Sequence, residues 1–350
     1  MNDSNPNQKS KSYAESGVDT RAADQFVEGI KNLVQIDPEA KVKDSVGAYA
    51  AVYELTPDRW IALGCDGVGT KILWTLEELG TAEMLAQDLV AMNVNDLLCV
   101  GASPRLFLDY IGFTQGSLLE EGAILSQFLK GLQKACAKSH SLLVGGETAQ
   151  MPDFYKEGHF DVSGFCVGDL APSDWLHADL LKPGSKLWMW KSDGPHSNGF
   201  SWLRKIFDPV KDADFIKEHL MAPTKLYVED FEKLKSFLAS KNQSAALQAA
   251  FHITGSGLRN LLRMQPKGRE IGFVIDQNLE WPVWMQEVET RTGASREEIL
   301  CSLNGGWGFA VVLDEAFSAQ HGQELQDLGL YERGYADETA RVSIEGLEIR

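Results

Sequence analysis

The 350-residue chain contains no C-x-x-C pair; its five cysteines, Cys65, Cys99, Cys136, Cys166 and Cys301, are scattered and sit mostly in apolar segments. That argues against a zinc site and for buried, reduced thiols. Positive charge is scarce as well, with 33 Lys and Arg against 50 Asp and Glu and a net charge of −17. Such a chain repels nucleic-acid backbones on average, and no basic stripe interleaved with aromatics reverses that. No apolar run reaches the length of a membrane span, and the opening "MNDSNPNQKSKSYAES" has no apolar signal-peptide region. The expectation is a cytoplasmic enzyme or binding protein with neither a nucleic-acid nor a membrane partner. What is present, 44% hydrophobic and 24% charged residues with 32 glycines, is globular, and the length allows two domains.

An acidic chain that binds a polyphosphate needs local help from a lysine, backbone N–H groups or a divalent metal held by carboxylates. The stretch "GCDGVGTKILWTL" offers all three. An apolar segment, "WIALGC", runs into Asp66, followed by Gly67, Gly69, Thr70 and Lys71, without the G-x-x-x-x-G-K-[ST] spacing of the common phosphate loop.

Along the chain, residues 20–36 carry Phe26, Val27, Ile30, Leu33 and Val34 at helical spacing. "AVYEL" and "RWIALGCDG" read as strands, 81–100 as a strongly apolar helix, "RLFLDYIGF" as a strand and 117–139 as an amphipathic helix. "SLLVGGETAQMP" and "FDVSGFCVGDL" follow as strands, so the alternation predicts an α/β or α+β layered domain. The loop texture of "APSDWLHADLLKPGSK" marks a boundary. It divides a flexible segment 1–19 and a first domain 20–172 from a second domain 173–350. Beyond it, "KLWMWKSDG" is a strand, "NGFSWLRKIF" opens a helix, 224–239 and 245–264 read as helical, and "REIGFVID", "GWGFAVVLD" and the tail "ARVSIEGLEIR" read as strands.

Polar residues interrupt the 81–100 helix. With Asp88 as zero, Asn95 lies about 20° to one side and Asp96 about 80° to the other, at roughly 100° per residue. Leu85, Leu89, Val90, Met92, Val94, Leu97 and Leu98 surround them, so the helix is buried and its carboxylates need partners or a cation. A lone Asp would cap or salt-bridge a neighbouring element. Two, after a strand ending in Asp66 and Lys71, point to a metal–phosphate site. "GGETAQMP" repeats the theme, with Gly145 and Gly146 allowing close backbone approach ahead of Glu147; the alternative is a tight turn with a solvated Glu. "KSDGPHSNGF" sets His196 and Asn198 before a helix N-terminus, an anion-binding position. In "HITGSGLRN", Gly255 and Gly257 form either a phosphate cradle or a flexible cap.

Taken in order, "GVDTRAADQFVEGIKNLV", "GCDGVGTK", "QDLVAMNVNDLLCVGASPRLFLDYIG", "LVGGETAQMP", "DVSGFCVG", "SDGPHSNGFSWLRKI", "APTKLYVED" and "HITGSGLRN" resemble the phosphoribosylformylglycinamidine cyclo-ligases (aminoimidazole ribonucleotide synthetases). The resemblance runs from about Tyr13 to the C-terminus and is strongest over 60–230. It implies ATP- and Mg²⁺-dependent closure of formylglycinamidine ribonucleotide to 5-aminoimidazole ribonucleotide, with release of ADP and phosphate. It also implies two α/β domains, with the N-terminal domains of a homodimer joining their sheets into a β-barrel. Selenophosphate synthetase, thiamine-monophosphate kinase and formylglycinamidine synthase share the wider superfamily. By resemblance, Asp66, Asp96 and Glu147 match acidic metal positions, with Asp88 a neighbour. Lys71, with Gly67, Gly69 and Thr70, would meet the phosphates, and Gly145, Gly146, Gly255, Gly257 and Lys31 complete the nucleotide contacts. His196 and Asn198 would contact substrate or move protons.

The chain also departs from the family. A glycine-rich run before the first long strand reads "DSVGAYAAVYEL", putting Asp44, Ser45, Ala48 and Ala50 where glycines are typical, and a glycine triplet is reduced to Gly255-Ser256-Gly257. Any of these positions with φ > 0 would be strained by a Cβ. Two other functions stay open at this level: another ATP-dependent enzyme of the superfamily, and a catalytically silent nucleotide-binding paralogue.

Overall fold

The computed structural model describes residues 39–350 together with scattered positions between 25 and 37; segment 1–19, most of the expected 20–36 helix and Lys31 lie outside the described residues. Two mixed sheets fall on either side of the stretch 171–185. The first is built from β1 (Val42–Asp44), β2 (Ala51–Thr56), β3 (Arg59–Gly67), β4 (Ser103–Phe113), β5 (Leu142–Gln150) and β6 (Phe160–Leu170), in the order β1-β2-β3-β6-β4-β5. All its pairings are antiparallel except β4 with β5. Helices α1 (Lys71–Leu76), α2 (Ala82–Cys99) and α3 (Ile124–Lys138) belong to this half, and α2 packs against both the sheet and α3.

Glycines on β3 and β6 let α2 lie close to the sheet. A Cβ at Gly64 or Gly168 would strike Leu97, and one at Gly164 would strike Asn93. Small residues at a contact face allow backbones to approach, so α2 is sunk into the sheet rather than resting on it.

The second sheet comprises β7 (Lys186–Lys191), β8 (Leu247–His252), β9 (Gly272–Ile275), β10 (Trp307–Leu313), β11 (Tyr331–Asp337), β12 (Val342–Ile344) and β13 (Leu347–Ile349), in the order β13-β12-β9-β11-β7-β10-β8. Helices α4 (Phe200–Ile206) and α5 (Val228–Ser240) follow β7. The helix expected over 245–264 is corrected: 247–252 is a strand, followed by a 3₁₀ turn over Gly257–Leu262. "LQAAFH" is buried at all six positions, and a continuously apolar central strand has no periodicity to separate it from a buried helix.

Gln87 and Asn95 of α2 face the second half of the chain. Gln87 Nε2 donates to Thr224 O at 3.0 Å, Asn95 Nδ2 to Lys225 O at 3.0 Å, and Tyr227 N–H donates to Asn95 Oδ1 at 3.1 Å. The amide of Asn95 thus pairs with a backbone donor and a backbone acceptor two residues apart. From the other side, Tyr49 Oη donates to Asn260 O, and Arg263 donates to the carbonyls of Gly47 and Ala48.

The substitutions at glycine positions prove harmless to the backbone. Within 44–50 and 255–257, Gly47 (φ 99°) and Gly257 (φ 55°) alone adopt positive φ, and both are retained. Asp44, Ser45, Ala48, Ala50 and Ser256 occupy backbone that any L-residue can take.

Among the described residues, nothing covers the apolar opposite face of the first sheet. Register puts Tyr53, Leu55, Leu106, Tyr110, Leu142 and Phe165 on that side, and Leu142 is 67% exposed. The sheet does not close on itself in the single chain, so the barrel implied by resemblance is not a feature of the monomer.

Replacing Asn95 by Ala leaves Tyr227 N–H and Lys225 C=O without their side-chain partner. An orphaned buried backbone group costs about 1–3 kcal/mol. The Asn95→Ala protein is therefore expected to unfold at lower urea concentration; an unchanged midpoint would contradict the seam described here.

Candidate active site

Asp66 stands near the end of β3, where the strand gives way to Gly69, with φ 62°, and the short helix α1. Its backbone is gripped by Asn93 from α2: Asp66 N–H donates to Asn93 Oδ1 at 3.0 Å, and Asn93 Nδ2 donates to Asp66 O at 3.2 Å. The Asp66 carboxylate accepts the Gly67 N–H at 2.7 Å. Burial, and then the nearby Asp96 charge, push the Asp66 pKa up to about 6. Two carboxylates brought together in a part-desolvated place make a poor anion site and a good cation site.

Asp96 is joined to a residue that the sequence reading did not single out. His252, the last residue of β8 and fully buried, places Nδ1 2.8 Å from Asp96 Oδ1, with Asn95 Nδ2 3.4 Å from its Nε2. A signal was there, since "AAFHITG" ends an apolar strand in a histidine ahead of glycines, as "LGCDG" ends one in an aspartate. Asn93 was equally visible as a polar break in the helix, but a helix sequence does not say which strand end an amide will meet.

Lys71 departs from the expectation. Instead of lying in an exposed phosphate loop, it opens α1 and its side chain is 1% exposed. Its ammonium donates to Asp88 Oδ1 at 2.9 Å, His196 O at 2.9 Å and Ala222 O at 2.8 Å, which uses all three of its N–H groups. Burial pushes its pKa down, opposed by the Asp88 charge. Asp88, 0% exposed, also accepts from Thr224 N–H and Thr224 Oγ1. Asp88 thus makes the salt bridge of the simpler reading, and the pair is enclosed by protein.

The loop after β7 carries His196 and Asn198. His196 has φ 61°, is fully buried, and neither ring nitrogen has a hydrogen-bond partner among the described residues. Asn198 Nδ2 and Ser192 Oγ are in the same condition. Buried polar groups are ordinarily satisfied, so several orphans in one loop mark a place built to meet a ligand. Burial, followed by the His252 charge, holds His196 well below the ordinary imidazole value. Gly308 gives the ring room, because a Cβ there would collide with both His196 and Tyr227. Gly255 lies beside Asn198, near its Oδ1, while Gly257 supports the turn with its positive φ and packs against the Leu300 carbonyl. Thr70 Oγ1 is 2.9 Å from Ser201 Oγ, so the 67–70 turn touches the start of α4.

Glu147 is not drawn into this cluster. It sits exposed on β5, with its carboxylate accepting the Thr148 N–H at 2.8 Å. The register runs Gly67–Ser163–Tyr110–Glu147, three strand spacings or roughly 14 Å. Gly145 and Gly146 share that edge strand, away from Asp66 and Asp96, and a Cβ at Gly146 would meet Asp109. Among the described residues, no three His, Cys, Asp or Glu side chains form a metal cage. Asp66 and Asp96 still suit Mg²⁺, which commonly binds one or two carboxylates and takes its remaining oxygens from phosphates and water.

Residues 47–170 match the family described as AIR synthase related protein, N-terminal domain, and residues 182–344 match its C-terminal domain counterpart. The chain belongs to this family. A phosphoribosylformylglycinamidine cyclo-ligase of Fusobacterium nucleatum is 35% identical over 316 residues, covering 87% of this chain and 89% of that protein. The enzyme of the same name from Xylella fastidiosa is 36% identical over 331 residues, 91% of each. The motif resemblance and these relatives therefore agree. Among solved structures, a chain of a HypE–HypF complex superimposes with a TM-score of 0.64 at 17% identity, covering 92% of this chain and 97% of that one. AaThiL complexed with AMPPCP and TMP gives 0.62 at 15%, covering 95% and 94%. At such identity these two show a shared fold.

The raised Asp66 pKa fixes the sign of a pH effect. Its folded value of about 6 lies above the ordinary carboxylate value of 3.8, so the stability it contributes is complete below that value and is lost as pH rises through 6. Asp66→Asn is expected to raise the thermal midpoint at pH 8 and leave it nearly unchanged at pH 4. Equal midpoints at pH 8 would show that the carboxylate carries no penalty.

Proposed function

We propose that this chain catalyses the ATP-dependent closure of formylglycinamidine ribonucleotide to 5-aminoimidazole ribonucleotide, with release of ADP and phosphate. The observation that carries the reading is one of juxtaposition. Asp96, whose charge acts on Asp66, pairs with His252. The His252 ring lies 6.2 Å from Phe309, Phe309 5.3 Å from Tyr227, and Tyr227 6.2 Å from His196, whose ring nitrogens, like Asn198 Nδ2, have no partner among the described residues. The names of the relatives and the ATP analogue held by AaThiL support it.

Phosphoryl transfer asks a protein mainly for positioning and charge neutralisation. Asp66 and Asp96 are the residues that would hold Mg²⁺, which supplies positive charge to the triphosphate. Asn93 and His252 keep those two carboxylates in place from behind. In the reaction the substrate's formamide oxygen attacks the γ-phosphorus and ADP departs. An amidine-side nitrogen then bonds to the activated formyl carbon, loses a proton, and the C–O bond to phosphate breaks. His196, kept neutral by burial, has a free acceptor nitrogen for such a proton, and Asn198 Nδ2 has donors for a substrate oxygen. Gly255, beside Asn198, offers backbone to the same ligand.

The uncovered sheet face supports a homodimer. Leu142 and Val144 are 67% and 53% exposed on edge strand β5, and the same strand carries Glu147 away from its own chain's carboxylate pair. A second copy covering this face buries the apolar stripe and lets Glu147 serve the partner's nucleotide site. Leu142→Lys is expected to shift the protein from dimer to monomer in light scattering; a chain already monomeric in its parent form would overturn this part.

The central test is a turnover assay with formylglycinamidine ribonucleotide, ATP and Mg²⁺. The parent should release ADP only when the amidine is present, and Asp96→Asn should weaken Mg-ATP binding by tenfold or more with parallel loss of turnover. Unchanged nucleotide affinity in that variant would remove Asp96 from the site.

A further inference from the structure

The Lys71 side chain lies under the loop that carries His196, and its three bonds have a common purpose. Two go to backbone carbonyls of the second domain, His196 O and Ala222 O; the third goes to Asp88, a residue of the first domain that also holds Thr224 by its N–H and its hydroxyl. Thr224 Oγ1 is in turn 3.0 Å from Ser197 Oγ, in the same loop as His196. The ring of Phe200, where α4 begins, covers the ammonium at 5.3 Å. The loop is thus gripped at His196 by the charge pair of α1 and α2, and at Ser197 by Thr224, which Asp88 holds.

His196 needs such a grip. A non-glycine residue at φ 61° is strained and persists only where the surroundings over-determine it. Its imidazole makes no hydrogen bond among the described residues, so the ring has no polar anchor of its own. The backbone carbonyl does, and its partner is Lys71.

We propose that Lys71 is a positioning residue: by holding the His196 carbonyl, with Asp88 and Thr224 completing the clamp, it sets the imidazole for ring closure and makes no contact with ATP phosphate. The inference rests on the functional reading above for the chemistry that His196 performs, but not for the clamp itself. Lys71 is chosen by this arrangement because an ammonium carries three donors and its charge matches a buried carboxylate. Breaking one partner alone would strand a buried charge, whereas removing both charges together leaves a neutral, packable pair.

The test uses the double variant Lys71→Met with Asp88→Asn, and separately Thr224→Val. Mg-ATP affinity is measured by calorimetry, kcat and KM by turnover, and the local freedom of 192–199 by amide hydrogen exchange. The expected result for the double variant is an ATP Kd within about threefold of the parent, kcat down at least tenfold at saturating substrate, and faster exchange in 192–199. Thr224→Val should show the same pattern at smaller amplitude, a loss of about threefold in kcat. An ATP Kd raised tenfold or more with kcat preserved would make Lys71 a phosphate contact and overturn the proposal. Unchanged kcat and unchanged exchange would overturn it as well. If the double variant does not fold, Thr224→Val decides by the same criteria. Should the parent protein fail to turn over formylglycinamidine ribonucleotide, the functional reading fails, while ATP affinity and exchange still decide whether the clamp exists.

Discussion

A buried lysine–aspartate pair lies at the seam between the two halves of this chain, and the site is arranged around it. Lys71 and Asp88 come from the first domain, yet almost everything they bind besides each other belongs to the second. Two charges removed from water are tolerated only when their geometry and remaining hydrogen bonds are nearly complete. The pair therefore favours one arrangement of the 196 and 222–224 backbone over its neighbours, and this arrangement sets the His196 imidazole beside Tyr227 and over Gly308.

Helix α2 is the common element. Along it, Asp88 holds Lys71 and Thr224, Asn93 holds the Asp66 peptide, Asn95 holds the 225 and 227 backbone, and Asp96 holds His252. Its apolar residues bind it to a sheet thinned by glycines, so the polar ones are delivered at a constant depth. Stability and chemistry share this helix. Its amides satisfy buried backbone that would otherwise be costly, and the same fixed geometry keeps Asp66 and Asp96 near one another with their charges only partly neutralised by protein.

What the first domain leaves unfinished is equally informative. An apolar sheet face open to solvent and an edge strand carrying Glu147 are incomplete features in a single chain. The glycine substitutions near residues 44–50, by contrast, leave nothing unfinished, because the positions that demand positive φ kept their glycines. The departure from the family pattern there is one of side-chain volume and not of backbone conformation.

The order of strands and helices in the first domain, the apolar character of 81–100 and the unusual polar settings of Asp66, Asp96, His196 and Asn198 were legible because each lives in local pattern: an apolar run that ends in a polar group, or a polar break in a buried helix. The strand at 247–252 was not, since a fully buried strand and a buried helix share the same apolar texture. Nor was the fate of Lys71, for a lysine after two glycines has the same sequence whether it reaches a phosphate or turns inward to a carboxylate. That choice depends on Asp88, His196 and Ala222, residues 17 to 151 positions away along the chain. Local composition determined which groups this protein has for handling a phosphorylated substrate. Only the packing of two sheets about one helix decided which of them are left without a protein partner and which hold the others in place, because desolvation and hydrogen-bond satisfaction are properties of the assembled interior.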